Sequence, residues 1–231
     1  MKPAPINFLA STRPLARLLV ALAALLLLAG CATSKSTSYR VANIYTKNAQ
    51  LPKELKRVAL LPIAVRNSTE TLEEGAEALD PVVIAELSKK ERFDVVPVST
   101  EDLRHWTGLA SALAWEALPE NFFAQIKLHT GCDAVMFCEL TRFNAYQPVA
   151  LGWKFSLVEG SETAVNILWC ADATIDAGNP DAADAARTYQ SQHIGNEWRA
   201  KGHSQILSSP RRFGQFTLCA VFDTLPERKN R

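Results

Sequence analysis

Residues 57–65 read RVALLPIAV, a nearly unbroken apolar run that ends against the polar stretch Arg66-Asn67-Ser68-Thr69. A strand with one face in water alternates apolar and polar residues, whereas a strand covered on both faces reads as a continuous run like this one. Pro62 has no N–H to give to a ladder, so it should lie at an edge, at a bulge, or past the well-paired part of the strand. Asn67, Ser68 or Thr69 can cap the helix that follows, with Glu73 and Glu74 near the positive end of its dipole. Leu72, Ala76, Leu79, Val83, Ala85 and Leu87 carry an amphipathic pattern to about Lys90. Asp80-Pro81 is an expected interruption, because proline removes an interior hydrogen bond.

Further along, Phe93-Asp94-Val95-Val96-Pro97-Val98 reads as a second short strand and Ser99-Thr100-Glu101-Asp102 as a helix start. Residues 107–118 are alanine-rich, helical or irregular. Pro119-Glu120-Asn121 opens a helix to about His129, which Gly131 ends. Residues 133–143 form a third strand, and residues 151–158 and 164–173 flank the turn Glu159-Gly160-Ser161-Glu162 as a hairpin. Trp153, Phe155 and Leu157 alternate on one arm; Val165, Ile167 and Trp169 alternate on the other. The expected fold is α/β (or α+β), a mixed sheet in the order β-α-β-α-α-β-β-β.

Residues 178–208 are polar with weak periodicity, an expected excursion outside the core that is helical near 181–189. Ser209-Pro210 then forms a helix N-cap with proline in the first turn. Phe213, Phe216, Thr217, Ala220 and Val221 supply the stripe of a C-terminal packing helix. Gly214 and Phe222 fit that stripe poorly, which leaves a final strand as the alternative.

The first thirty residues hold Lys2, Arg13 and Arg17 and no acidic residue. An apolar block of Leu, Val and Ala at 18–28 follows, then Ala29 and Gly30 ahead of Cys31. A bilayer-spanning helix needs roughly 20 apolar residues, so this block is short for a permanent anchor. A positive region, a brief apolar region and small residues before a cut site form a secretory signal. A core or membrane helix with an incidental cysteine is the alternative. Leu28-Ala29-Gly30-Cys31 resembles the lipobox of bacterial lipoproteins. That resemblance implies a signal peptide over residues 1–30, cleavage between Gly30 and Cys31, and acylation of the Cys31 sulfur and of the freed amine. With Ala32 rather than Asp next, it also implies sorting to the outer membrane; a domain facing the periplasm is a separate expectation. Residues 31–54 would form a lipidated flexible tether, with an edge strand near 41–45 as the alternative. Residues 55–231 would form a single domain. Acyl chains contribute about 0.8 kcal/mol per buried CH₂, enough for three of them to hold a protein on a membrane without a span.

Removing residues 1–30 takes away three basic residues, leaving 22 Lys and Arg against 24 Asp and Glu, a net of −2. Phosphate binding needs a concentrated basic footprint, so this balance argues against nucleic acid. Cys132, Cys138, Cys170 and Cys219 are too few for a disulfide scaffold in a chain of this length. Cys132 and Cys138 fall on one strand about 20 Å apart, too far to bond. Buried free thiols are the expected state.

Two segments carry a further resemblance. One is Val58-Ala59-Leu60-Leu61-Pro62-Ile63 with its Asn67-Ser68-Thr69 turn and helix. The other is Thr130-Gly131-Cys132-Asp133-Ala134-Val135, which opens a strand after a helix and leads into a hairpin ending near Leu168-Trp169. Over about residues 55–175 the chain resembles the envelope lipoproteins with a nucleotide-free α/β domain. Their members include the curli secretion-channel subunit, a Pel polysaccharide-export lipoprotein and the outer-membrane activator of a penicillin-binding protein. Such relatives usually carry glycine shortly after the third strand's apolar run, where this chain has Cys138-Glu139. The resemblance implies the fold; the expected function is that of a non-catalytic outer-membrane lipoprotein that binds envelope partners or self-assembles, in export, assembly or envelope-enzyme regulation.

No residue pattern marks a catalytic, cofactor-binding or metal-ligating site. His105, His129, His193 and His203 share no metal-ligand spacing. Asp172, Asp176, Asp181 and Asp184 do not follow the calcium-loop pattern. Neither a Gly-x-Ser-x-Gly elbow nor a Gly-rich phosphate loop is present. The alternative function is a periplasmic hydrolase or ligand-binding lipoprotein acting on wall or exported polysaccharide, which would require carboxylates to converge in space. Trp106, Trp115 and Trp198 are then candidate sugar or partner contacts, while Trp153 and Trp169 are expected in the core. A Cys31→Ala protein, secreted through an unrelated cleavable signal, should lose palmitate labelling and leave the membrane fraction; retention there would overturn the anchor.

Overall fold

Val58, Ala59 and Leu60 are each at most 3% exposed, so both faces of their strand are covered, as the apolar run requires. The computed structural model describes residues 39–160, 164–193 and 205–228. Along these the elements are β1 (Ile44–Thr46), β2 (Gln50–Leu51), β3 (Arg57–Leu60), α1 (Glu70–Ser88), β4 (Asp94–Pro97), α2 (Thr100–Thr107), α3 (Phe122–Thr130), β5 (Ala134–Asn144), β6 (Ala150–Gly160), β7 (Val165–Asp176), α4 (Pro180–His193), a 3₁₀ turn (Gln205–Leu207), α5 (Pro210–Phe222) and β8 (Glu227–Arg228). From β3 to β7 the order is the expected β-α-β-α-α-β-β-β. A six-stranded mixed sheet runs β1-β7-β6-β5-β3-β4. Strand β3 lies parallel to β4 and β5, whereas the pairs β5–β6, β6–β7 and β7–β1 are antiparallel.

Alternation along the strands sends side chains into two cores. Val58, Leu60, Met136, Trp153 and Phe155 pack on one side beneath α1 and α5. Ala59, Leu61, Val135, Phe137 and Val158 pack on the other with Leu103 of α2 and with Phe122 and Ile126 of α3. Strand β3 ends at Leu60, ahead of Pro62. The chain stays against β5 on both sides of the proline, through Leu61 N to Met136 O at 3.0 Å and Ala64 N to Cys138 O at 2.8 Å.

Thr69 caps α1 and accepts from Leu72 N. The expected interruption at Asp80-Pro81 does not occur, and α1 runs through to Ser88. Pro81 and Glu77, whose carbonyl loses its partner, both lie on the exposed side, so water can satisfy that carbonyl. Leu79, Val82 and Val83 meanwhile hold the helix to the core. Gly108 and Gly131 close α2 and α3 in the left-handed region, at φ 79° and 65°.

Three further expectations are corrected. The described parts of the expected excursion, residues 178–193 and 205–208, are not outside the core. Ala182, Ala186 and Gln190 form a buried i, i+4 stripe on α4, and Ile206 is fully buried with its N–H given to Gln190 Oε1 at 3.2 Å. Alanines score weakly for hydrophobicity, but their small size lets a helix approach closely. Within the segment read as a tether, the alternative of an edge strand holds: β1 lies at the sheet edge and pairs with Trp169–Ala171 of β7, and β2 pairs with β8. Leu51 is itself buried, so the packed chain begins before residue 55. Finally, Val165, Ile167 and Trp169 do not share a face, because a bulge at Leu168 shifts the register: Leu157 opposes Trp169, but Val158 opposes Ile167.

The C-terminal segment is a helix rather than a strand. Gly214 is what lets it close on α1, since a Cβ there would lie 2.8 Å from Leu79 Cδ2. Trp153 and Trp169 are fully buried, and their indole N–H groups donate to Thr217 Oγ1 at 3.0 Å and Thr224 Oγ1 at 3.1 Å. Cys132, Cys138, Cys170 and Cys219 are all free.

Gly75 sits inside α1, where alanine ordinarily stabilises by about 0.5–1 kcal/mol. Here a Cβ would lie 2.6 Å from the Phe143 ring. Gly75→Ala should therefore destabilise by about 1–2 kcal/mol in urea unfolding, and Phe143→Leu should remove most of that penalty in the double variant.

Candidate functional site

On the second face of the sheet, cover from α2 and α3 thins toward β7. Ile167 is half-buried and Val165 is 64% exposed. A groove of about 300 Å³ opens there between residues 114–120, α3 and the arms of the hairpin. Phe123, Phe137, Val158 and Ile167 supply its apolar lining, and Glu116 and Glu120 are the ionisable groups on its wall. Phe123 and Phe137 meet edge to face at 6.3 Å between centroids. Gly160 makes room for this wall, because a Cβ there would lie 2.3 Å from the Phe123 ring.

Next to the groove, a charged row crosses the same face. Arg66 Nε lies 3.4 Å from Glu139 Oε1, Glu139 opposes Lys154 in the ladder, and Lys154 Nζ lies 3.5 Å from Asp172 Oδ2. Lys154 also sits 5.2 Å from the centroid of Trp115, which is 47% exposed. Solvent reaches Lys154 and Asp172, so that ion pair contributes at most about 1 kcal/mol. Glu139 is buried, and its Oε2 has no hydrogen-bond partner among the described residues.

The other sequence candidates are dispersed. His129 stacks on Trp106 and His193 on Tyr189, and His203 lies outside the described residues. Asp172, Asp176 and Asp184 each pair with a separate basic side chain, Lys154, Arg142 and Arg187. Among the described residues no group of three His, Cys, Asp or Glu side chains gathers as a metal site. Burial pushes the Cys138 thiol well above its ordinary pKa and raises those of Cys132, Cys170 and Cys219, so all four stay protonated at neutral pH. Burial also raises Asp80, against the opposing hydrogen bond from Ile63 N at 3.4 Å.

Gly30 and Cys31, the expected cleavage and lipidation positions, lie outside the described residues, as do residues 161–163 of the hairpin tip. No helix among the described residues is long and apolar enough to cross a membrane. The edges of the sheet are short: β1 has three residues, and β4 has four with Pro97 at its end. The groove was missed by sequence reasoning. Its one advance signal was Leu118-Pro119, apolar residues in a segment with no helical or strand period.

No protein-family model matches the chain, and no curated protein matches it. Solved structures with similar chain traces include the PelC dodecamer from Paraburkholderia phytofirmans, at 13% identity over 62% of this chain and 86% of that chain, TM-score 0.39. Lipoprotein GNA1162 from Neisseria meningitidis is 17% identical over 64% of this chain and 99% of that chain, TM-score 0.42. The LpoB C-terminal domain from Salmonella enterica is 17% identical over 51% of this chain and 81% of that chain, TM-score 0.33. PelC and LpoB fall in the group of envelope lipoproteins that the sequence resembles.

Trp115 and Trp153 should respond differently to truncation. Trp115→Ala forfeits an exposed cation–π contact and should cost under about 1 kcal/mol. Trp153→Ala opens a cavity and should cost about 3–5 kcal/mol. Denaturant midpoints of the two variants measure the contrast, and a large loss at Trp115 would make it a core residue.

Proposed function

We propose that this protein is a lipid-anchored outer-membrane lipoprotein that works without catalysis, by binding an envelope protein or further copies of itself in export, assembly or envelope-enzyme regulation. The observation that carries this reading is the apolar groove left open on the second face of the sheet. Its lining is aromatic and aliphatic, and its carboxylates stand on the exposed wall. That arrangement suits insertion of a protein side chain; a sugar subsite is built instead from polar groups converging around the ligand. Trp115 and Val165 extend the apolar surface past the groove, in the manner of a contact patch.

The lipobox resemblance supplies the anchor. A protein held at a membrane by acyl chains meets its neighbours in two dimensions, which raises the effective concentration of any partner held there too.

A photo-crosslinking residue at position 165, exposed and beside the groove, tests the reading in intact envelopes. A discrete protein adduct is expected from the anchored protein and a weaker one from Cys31→Ala. Recovery of neither a partner nor an oligomer would overturn it.

A further inference from the structure

The groove has a complement on the surface of the same chain. Leu128 is 74% exposed on α3, among the most exposed large apolar side chains of the described residues. Its chain neighbours are Lys127 and His129. Lys127 is exposed and makes no ion pair with a described residue, and His129 is drawn aside onto the Trp106 ring at 4.6 Å. An apolar side chain beside an uncommitted cation matches an apolar groove walled by Glu116 and Glu120 in both hydrophobicity and charge.

We infer that the occupant of the groove is a second copy of this chain, with its Leu128 seated against Phe123, Phe137 and Ile167 and its Lys127 against Glu116 and Glu120. The inference rests on the partner-binding reading and names the partner. A cavity of about 300 Å³ is at the small end of ligand sites, suited to one or two side chains. Its floor is preformed, because Phe137 and Val158 are already fixed by the second core. Little ordering cost therefore falls on the pocket side of the contact. The acidic wall orients the incoming Lys127 and rejects acidic segments, which is specificity more than affinity. One anchor of this size gives a weak contact in dilute solution, and confinement to a membrane raises the effective concentration enough to populate it.

The test uses the full-length lipidated protein in lipid vesicles, prepared as an equal mixture of ¹⁴N- and ¹⁵N-labelled copies with a photo-crosslinker at position 165. Mixed-isotope adducts mapping to 124–130 of the second copy are expected. Lys127→Glu alone and Glu116→Lys/Glu120→Lys alone should each lower the adduct yield by about tenfold, the size of a lost charge contact. The triple variant, with the charges exchanged, should restore it. Leu128→Asp should abolish the adduct. Unchanged thermal unfolding midpoints establish that each variant is folded, and the restoration cannot arise from misfolding. Adducts only within one copy, or a yield indifferent to the charge exchange, would overturn the inference. If position 165 captures another envelope protein in cells while self-adducts are absent, the partner-binding reading stands and the self-docking inference falls. If it captures nothing in either setting, both fall.

Discussion

Everything in the domain depends on covering β3 from both sides at once. Val58 and Leu60 need α1 and α5 above them; Ala59 and Leu61 need α2 and α3 below. One short strand therefore fixes where two helical layers must lie. The small side chains at the helix contacts set how near they come: Gly75 under Phe143, Gly214 against Leu79, and the alanine stripe of α4. The two buried tryptophans then tie the C-terminal segment down, since each indole N–H has its acceptor on α5 or just beyond it. A buried indole without an acceptor is costly, so these bonds specify position as well as contribute stability.

The cover is unequal. The first face is closed along its width by α1, α4 and α5. The second is closed where the parallel strands run, and it thins where the antiparallel hairpin takes over. Two helices of eight and nine residues are too short to reach across six strands. The irregular segment between them fills part of the gap and leaves the rest as the groove. Site and fold are thus one fact: the groove is the portion of the sheet that α2 and α3 do not reach.

What the sequence made legible follows from range. Continuous and alternating apolar runs report on contacts a residue or two away, and so the strands, the hairpin, the Ser99 and Ser209 caps and the glycine stops were readable. The alanine stripe of α4 was not, because it is made by closeness rather than hydrophobicity. The run of α1 through Pro81 was not, because tertiary packing outweighed local preference. The groove was least legible of all. Its residues lie on four separate elements and one irregular segment, and nothing in their spacing announces that they meet. The resemblance of Leu28-Ala29-Gly30-Cys31 to a lipobox is the opposite case, a pattern written wholly in consecutive residues.

The bulge at Leu168 carries a consequence for how such a surface could arise. Leu168 is the residue the ladder skips, so Leu157 still opposes Trp169 while Val158 opposes Ile167. In an unbulged register the same residues would alternate strictly, turning Val165 and Ile167 toward the α1 side and bringing Asn166 round to the groove, an amide in place of an apolar floor. One skipped residue thus lets a single strand serve the first core with Trp169 and the groove with Ile167.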